Sequence, residues 1–276
     1  MKRLVIALCT ILAVLTACED GNDSDDYPAT CSKIQLSEES PYEANVPTVT
    51  TVQTFLFSQG RLTDYTTVQG YSVQGEQMSM KNATSVTYNE RQAVVADDFG
   101  NVSTYLLDNR GYAISCTRRE SVATRTYSFS YFTTPEGNCY LEKITEQING
   151  KVYASINIDY SNRRELRIAR QIDTHTAAYT ATTSASNETD SGTGVPSLFL
   201  SELYPLSLHT AAFYGKLLGE PFPMLIERII PDGNAESKEV TEYTYTFDKH
   251  NALTSCKEVT NSYGTNYVRT VNYVIE

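Results

Sequence analysis

The sequence of 276 residues contains no tryptophan, only three histidines and no Cys-x-x-Cys pair. The histidines are His175, His209 and His250, and none of them stands in a metalloprotease, serine-hydrolase or phosphate-loop motif. Lysine and arginine are not in excess either, since the net charge is −11, and this argues against nucleic acid as a partner. We therefore expect no metal site, no cofactor and no nucleic-acid interface.

Long apolar runs are also missing, except at the N-terminus. Lys2 and Arg3 precede an apolar run at residues 4–15, which is shorter than the about 20 residues of a membrane-spanning helix. The run ends in Leu15-Thr16-Ala17-Cys18, which matches a bacterial lipobox. These features predict a lipoprotein signal peptide over 1–17 and an anchor of diacylglycerol and palmitate on Cys18.

An acidic segment without apolar side chains directly follows Cys18. Because it cannot bury a core, it predicts an extended tether, and we assign residues 18–46 to the lipidated cysteine, tether and linker. The segment also resembles the acidic export signal of surface lipoproteins in Bacteroidetes, the alternative being a solvated leader without a sorting role. We thus expect a bacterial outer-membrane protein, lipid-anchored and facing the cell exterior. The acidic residues are Glu19, Asp20, Asp23, Asp25 and Asp26.

Cysteine usage leaves the redox state open. Cys9 lies in the predicted signal peptide and Cys18 is the predicted lipid attachment site. The compartment permits disulfides, so one or two bridges of unknown pairing are one interpretation, and buried free thiols are the other. The remaining cysteines are Cys31, Cys116, Cys139 and Cys256.

Residues 47–276 form a single predicted domain whose dominant period is two. Aromatic and polar residues alternate along 127–131 and again along 243–248, as in antiparallel strands with one apolar face. The segment 108–116 also aligns without a gap with 248–256, which places Gly111 and Asn251 at one turn position that commonly needs a positive φ. This pattern predicts a mainly β fold, a wide curved antiparallel meander sheet of sequential hairpins with one helix packed on its apolar face.

Two segments interrupt this pattern. Residues 174–196 are rich in Thr, Ser, Ala and Gly, and predict a mobile loop. After it, apolar residues recur at intervals of three and four, with Pro205 at the first turn and Gly219 past the end, which predicts an amphipathic helix over about 205–218.

The helix segment 203–214 and the strand segment 243–248, combined with the lipobox, resemble a family of lipoproteins of gut Bacteroidetes classed as a domain of unknown function. The hairpins also resemble the tyrosine-aspartate repeats of larger secreted proteins, in a degenerate form that keeps Arg-Leu only at Arg61-Leu62. This resemblance brings no established activity.

Few residues are candidates for chemistry. His209, on the predicted helix, is either a general base or a hydrogen-bonded structural histidine. Asp97-Asp98 would hold calcium or form an ordinary hairpin turn, and the turn is favoured because the string lacks the alternating ligands of a calcium loop.

Three hypotheses of function follow, and they rank a non-catalytic role above an enzymatic one. The first is a surface lipoprotein that binds an unknown glycan, peptide or protein, since tyrosine offers stacking area and a hydroxyl. The second is a carrier of a lipid or other apolar ligand between sheet and helix. The third is a hydrolase, which would require a cleft with close carboxylates or a paired nucleophile.

Overall fold

The computed structural model of the chain describes residues 31–39, 49–73, 76–184, 206–233, 239–249 and 252–276. In these residues, sixteen strands form one antiparallel sheet. Each strand pairs with the strand before it and the strand after it in the chain. They are β1 Lys33–Glu39, β2 Val49–Ser58, β3 Arg61–Val73, β4 Glu76–Asn89, β5 Gln92–Asp97, β6 Val102–Leu107, β7 Ala113–Arg119, β8 Thr124–Thr133, β9 Cys139–Ile148, β10 Lys151–Asp159, β11 Glu165–Ile172, β12 His175–Thr183, β13 Ile226–Pro231, β14 Val240–Phe247, β15 Leu253–Ser262 and β16 Thr265–Ile275.

The sheet closes on itself as a barrel. β1 pairs with β16 in the register Ile34↔Ile275, and with β2 in the register Ile34↔Phe55. The prediction of an open curved meander with a helix packed on one face is therefore wrong. The sheet has no open edges, because residues 33–39, part of the predicted tether and linker 18–46, form the strand that pairs with both the first and the last hairpin.

Alternation along the strands separates an apolar interior from a polar outer wall. On β8, Tyr127 and Phe129 are buried inside the barrel, whereas the residues between and beside them face outward. Strand β14 follows the same rule, with Tyr243 buried and Thr244 exposed. A barrel of this many strands is too wide for its wall side chains to fill, and residues from the segment 206–222 complete the core. The outward residues of β8 are Thr124, Thr126, Ser128 and Ser130.

Tight turns join the strands. Gln59-Gly60, Asn149-Gly150 and Tyr263-Gly264 each have two consecutive positive φ angles, as in the two-residue turns that match the twist of antiparallel strands. Gly111 has a φ of +92°, which confirms the conformation expected at that turn; Asn251 lies outside the described residues.

The helical segment is short and lies inside the barrel. Residues 206–209 form a 3₁₀ turn that leads into α1, Thr210–Tyr214, and the chain then passes through turns to Phe222. We call residues 206–222 the plug. The prediction of a helix to residue 218 is thus too long, because Lys216 adopts a φ of +55°. None of the helices in the described ranges is long or apolar enough to span a bilayer.

The predicted loop 174–196 also needs correction. Its first part is β12, which pairs along its length with β11 and from Tyr179 to Thr183 with β13. Threonine and alanine, which we had interpreted as loop composition, alternate there between the outer and inner face. Residues 185–196 lie outside the described residues.

Candidate functional site

The barrel has two different ends. At one end, which we call the plugged end, β1 begins and the plug enters; there the N–H of Ala113 donates to Leu217 O and the N–H of Glu220 donates to Cys139 O. At the opposite end, which we call the open end, the lumen contains a cavity of about 430 Å³. The plug forms its floor through Leu208 and Ala211. This open-end pocket is therefore a cup that ends at the plug.

Uncharged polar side chains line the pocket on β2, β3 and β4. The Gln53 amide donates to the Tyr65 hydroxyl oxygen at 2.9 Å, and the Thr67 hydroxyl donates to the same oxygen at 2.7 Å. Burial raises the pKa of Tyr65, an effect that these two hydrogen bonds oppose. Because the Tyr65 oxygen accepts twice, its own hydrogen is free to donate to a ligand.

Asn82 extends the polar surface along β4. Its Oδ1 is shielded from solvent and has no hydrogen-bond partner among the described residues. A buried acceptor that lacks a donor is unfavourable by about 1–3 kcal/mol, so a ligand hydroxyl placed there would restore the missing bond. Met80 and Phe99 lie in the same lining with exposed fractions of 54% and 62%, and they give the rim an apolar contact surface.

A ladder of alternating charges covers the other wall. Arg118 lies 3.7 Å from Asp97 and 2.9 Å from Glu120. Arg125 then bridges Glu120 at 3.2 Å and Glu146 at 2.5 Å. Glu146 is 1% exposed, and its side chain raises the pKa of Arg125. The charges of this ladder are thus paired within the protein, and Arg118 and Asp97 are the two that reach the pocket.

His209 lies in the plug and is fully buried. Its Nδ1 is 2.8 Å from the Tyr105 hydroxyl, and the rings of Tyr127 and Phe129 meet the imidazole edge-on. Burial, with a smaller effect of the Arg118 charge, lowers the pKa of His209 to about 3. A neutral imidazole enclosed by aromatic rings is a structural residue of the core, which is the second of the two interpretations of the sequence.

The four cysteines lie in separate parts of the barrel. All are buried, and none is disulfide-bonded in the structure. Cys116 and Cys256 occupy equivalent places in the two repeats, each opposite a tyrosine of the preceding strand, Tyr105 and Tyr245. Burial raises the pKa of Cys116 to about 12, as for an unreactive core thiol.

The remaining candidates from the sequence are Asp97-Asp98, His175 and His250. The Asp97 carboxylate accepts from the N–H groups of Phe99 and Asn101, so Asp97-Asp98 belong to a hairpin turn. His175 is exposed at the start of β12, and His250 lies outside the described residues. No group of three or more metal-ligating side chains exists in the described ranges.

The predicted lipidation and export residues also lie outside the described residues, and they remain predictions. They are Cys18, Glu19, Asp20, Asp23, Asp25 and Asp26.

The pocket residues were missed by the sequence analysis, although a signal exists. On β2 and β3 the inward positions change from apolar to polar toward the open end, as in Phe55, Gln53 and Thr51. A strand whose inward side turns polar part-way along identifies the wall of a solvated cavity.

The space between plug and barrel wall is occupied by protein. Phe55 stacks on Tyr214 with ring centroids 3.7 Å apart, and Leu218 and Phe222 are buried against the opposite wall. An apolar ligand would therefore have to lie in one of the cavities at the two ends of the plug, and the hypothesis of an apolar-ligand carrier stays a prediction.

Comparisons with known proteins agree on the fold. A family described as a domain of unknown function (DUF4595) with porin-like fold matches residues 55–255. The chain is 45% identical to a porin-like protein from Bacteroides uniformis ATCC 8492 over 91% of this chain and 100% of that one, with a TM-score of 0.82. A porin-like protein from Bacteroides vulgatus ATCC 8482 shares the fold at 10% identity, with a TM-score of 0.54 over 89% of this chain and 98% of that one. No curated protein matches.

Proposed function

Because this chain belongs to the family of domains of unknown function with porin-like fold, we propose that it is a non-catalytic binding protein of the outer membrane. Its ligand is a small hydroxylated molecule, a glycan in first place, held in the open-end pocket. The observation that carries this proposal is a cup of about 430 Å³ whose wall exposes hydrogen-bonding groups and whose floor is the plug.

The outer wall supports an anchored rather than a membrane-spanning barrel. Transmembrane barrels present an apolar band to lipid and a polar interior. Strands β6 and β8 have the reverse arrangement, since Tyr105 and Phe129 face inward while Thr126 and Ser128 face outward. The barrel wall thus suits water, and the attachment to the membrane is assigned to the predicted lipid on Cys18.

The chain direction supports display of the pocket away from the membrane. β1 begins at Lys33, opposite Leu56, which is at the plugged end. The segment that carries Cys18 therefore joins the barrel at the plugged end, and the open-end pocket lies at the far side of the barrel from that junction.

The chemistry of the lining favours a neutral hydroxylated ligand. Gln53, Tyr65 and Asn82 offer an amide, a phenol and a shielded carbonyl oxygen, all uncharged. The cavity volume falls within the range of small-molecule sites, about 300–1,000 Å³. Phe99 at the rim supplies a ring face for stacking on a sugar.

Binding is favoured over cleavage because the pocket offers one carboxylate. Glycoside hydrolysis needs two carboxyl groups that flank the bond. Among the described residues that line the cup, Asp97 is the one acid, and its oxygens accept hydrogen bonds from Asn101 and from its own turn.

The test is a glycan array probed with the full chain in a non-ionic detergent, followed by calorimetry on each hit. Asn82→Ala and Gln53→Ala should weaken binding by about tenfold or more, since each removes a hydrogen bond from a shielded site. Asn157→Ala is the matched control, because Asn157 is exposed on the outer wall of β10.

Two results would reject the proposal. The first is an array without a ligand above background, which would redirect the search to peptides and proteins. The second is a glycan bound equally by wild type and by both pocket variants, because the glycan would then be held elsewhere on the barrel.

A further inference from the structure

A second cavity, of about 800 Å³, lies at the plugged end. Three hairpin turns line it, the β2–β3 turn at Arg61, the β4–β5 turn at Glu90-Arg91 and the β6–β7 turn at Asp108-Arg110. The plug supplies its remaining side through Gly215, Lys216 and Leu217. This plugged-end pocket is separated from the open-end pocket by the packed interior of the barrel.

The charge of this cavity is opposite to that of the chain. Four cationic side chains line it against two anionic ones, Glu90 and Asp108, on a protein whose net charge is −11. Asp108 is engaged within its own turn, because it accepts from the Arg110 guanidinium and from the N–H of Tyr112. The cations are Arg61, Arg91, Arg110 and Lys216.

Two of these cations have no carboxylate partner among the described residues. Neither Arg61 nor Arg91 forms an ion pair with any residue in the part of the chain that the structure describes. This contrasts with Arg118 and Arg125 at the open end, each of which bridges two acids. Unpaired guanidinium groups at the mouth of one concave surface attract an anion.

Aromatic rings hold the guanidinium groups of Arg61 and Arg110 in place. The Arg61 guanidinium lies 5.3 Å from the ring centroid of Tyr88, and that of Arg110 lies 5.3 Å from the ring centroid of Tyr112. The Tyr112 hydroxyl is fixed in turn by donating to Glu220 at 2.9 Å. Two aromatic rings therefore hold two guanidinium groups against the wall of the cavity.

Tyr88 provides an independent indication of a ligand. Tyr88 is part of the cavity lining, and its hydroxyl, next to Gly215, is shielded from bulk solvent and has no hydrogen-bond partner among the described residues. A hydroxyl with a hydrogen to donate, next to unpaired guanidinium groups, matches what an oxyanion requires.

We propose that the plugged-end pocket binds a phosphate group, with Arg61 and Arg91 as the charged contacts and the Tyr88 hydroxyl as a neutral donor. Guanidinium groups recognise phosphate through two parallel hydrogen bonds. The phosphate belongs either to a soluble compound or to a lipid headgroup. The second source is open to this pocket because β1 begins at the same end of the barrel.

The test uses the full chain in a non-ionic detergent and three probes. Calorimetry measures binding of inorganic phosphate, and thermal unfolding compares micelles that contain short-chain phosphatidic acid or short-chain phosphatidylcholine. We expect phosphate or phosphatidic acid to bind and raise the unfolding temperature, and phosphatidylcholine to have no effect. Binding of inorganic phosphate identifies a soluble source, and binding of phosphatidic acid alone identifies a headgroup.

The variants separate this pocket from general charge effects. Arg61→Ala combined with Arg91→Ala should weaken phosphate binding by about tenfold or more, and Tyr88→Phe should weaken it without a change of charge. Arg119→Ala, an exposed arginine of the outer wall, is the control and should bind as wild type does. If the protein binds neither inorganic phosphate nor phosphatidic acid, or if wild type and the double variant bind equally, the proposal is wrong. This outcome does not depend on what the open-end pocket binds.

Discussion

The two ends of the barrel differ in how their charges are satisfied. At the open end, Arg118 and Arg125 alternate with Asp97, Glu120 and Glu146, so that each guanidinium group is neutralised by the fold itself. At the plugged end, Arg61 and Arg91 carry no such partner among the described residues. Paired charges at the open end serve the stability of the wall, whereas unpaired charges at the plugged end are available for a ligand.

The ends also differ in packing. At the plugged end the backbone of the plug approaches β7 and β9 closely enough to form direct hydrogen bonds with Ala113 and Cys139. At the open end the turns project into solvent, as at Tyr263-Gly264, where Tyr263 is 79% exposed. The plug thus makes one end part of the core and leaves the other as a solvated cup.

The largest expected effect distinguishes the packing of the two ends. An added Cβ at Gly219 would lie 2.7 Å from Cys139 O and 3.2 Å from the Tyr131 ring, at a φ of +88°. Gly219→Ala therefore combines backbone strain with overpacking, and we expect a loss of about 4 kcal/mol in the free energy of unfolding. Urea unfolding followed by circular dichroism measures this loss.

Gly264→Ala is the matched variant at the open end. Its φ of +80° is similar, but nothing lies within 4 Å of the added carbon. We expect a loss of about 1.5 kcal/mol, from the left-handed conformation alone. Equal losses at the two positions would mean that the plug is not tightly seated against β9.

The second prediction compares the arginines. Arg125→Met deprives Glu146, which is 1% exposed, of its guanidinium contact at 2.5 Å, and we expect a loss of about 3 kcal/mol in the free energy of unfolding. Arg91→Met removes an exposed side chain and should change the same quantity by less than about 0.5 kcal/mol. Guanidinium chloride would screen these charges, so urea is the denaturant for both. Similar losses would contradict the division between stabilising and available charges.

The strands could be predicted from the sequence, but their closure could not. A period of two at 127–131 fixes which side of β8 faces the core, because successive side chains of a strand point to opposite faces. Closure depends on the pairing of Ile34 with Ile275, at opposite ends of the chain, and no local pattern reports it. Ile34 and Leu36 follow closely after the acidic segment, so the predicted tether and linker 18–46 includes them.

The plug and the pockets also depend on contacts between distant parts of the chain, which no local pattern in the sequence reports. Apolar spacing predicted an amphipathic helix over about 205–218, whereas α1 has five residues inside the barrel and ends at Tyr214, before the chain turns to meet β7 and β9. The pocket residues Gln53 and Asn82 are ordinary polar residues in the sequence. They become neighbours of Arg118 only because several strands curve around one lumen, and that proximity is a property of the closed barrel.

The smallest of the three main effects concerns His209, which lies between the two ends. The unfolded chain has a histidine pKa near 6.5, whereas burial lowers the pKa of His209 in the barrel to about 3. Between these values the unfolded chain binds a proton that the folded chain does not, so stability falls as the pH is lowered through this window. At pH 5 the contribution is about 2 kcal/mol of lost stability, at about 1.4 kcal/mol for each pH unit below 6.5.

His209→Gln should be less stable than wild type at pH 7, since its contact with Tyr105 is altered, but should lose less stability on going from pH 7 to pH 5. Urea unfolding of both proteins at the two pH values measures this difference. An identical decline would show that the buried imidazole does not contribute to the acid sensitivity of the fold.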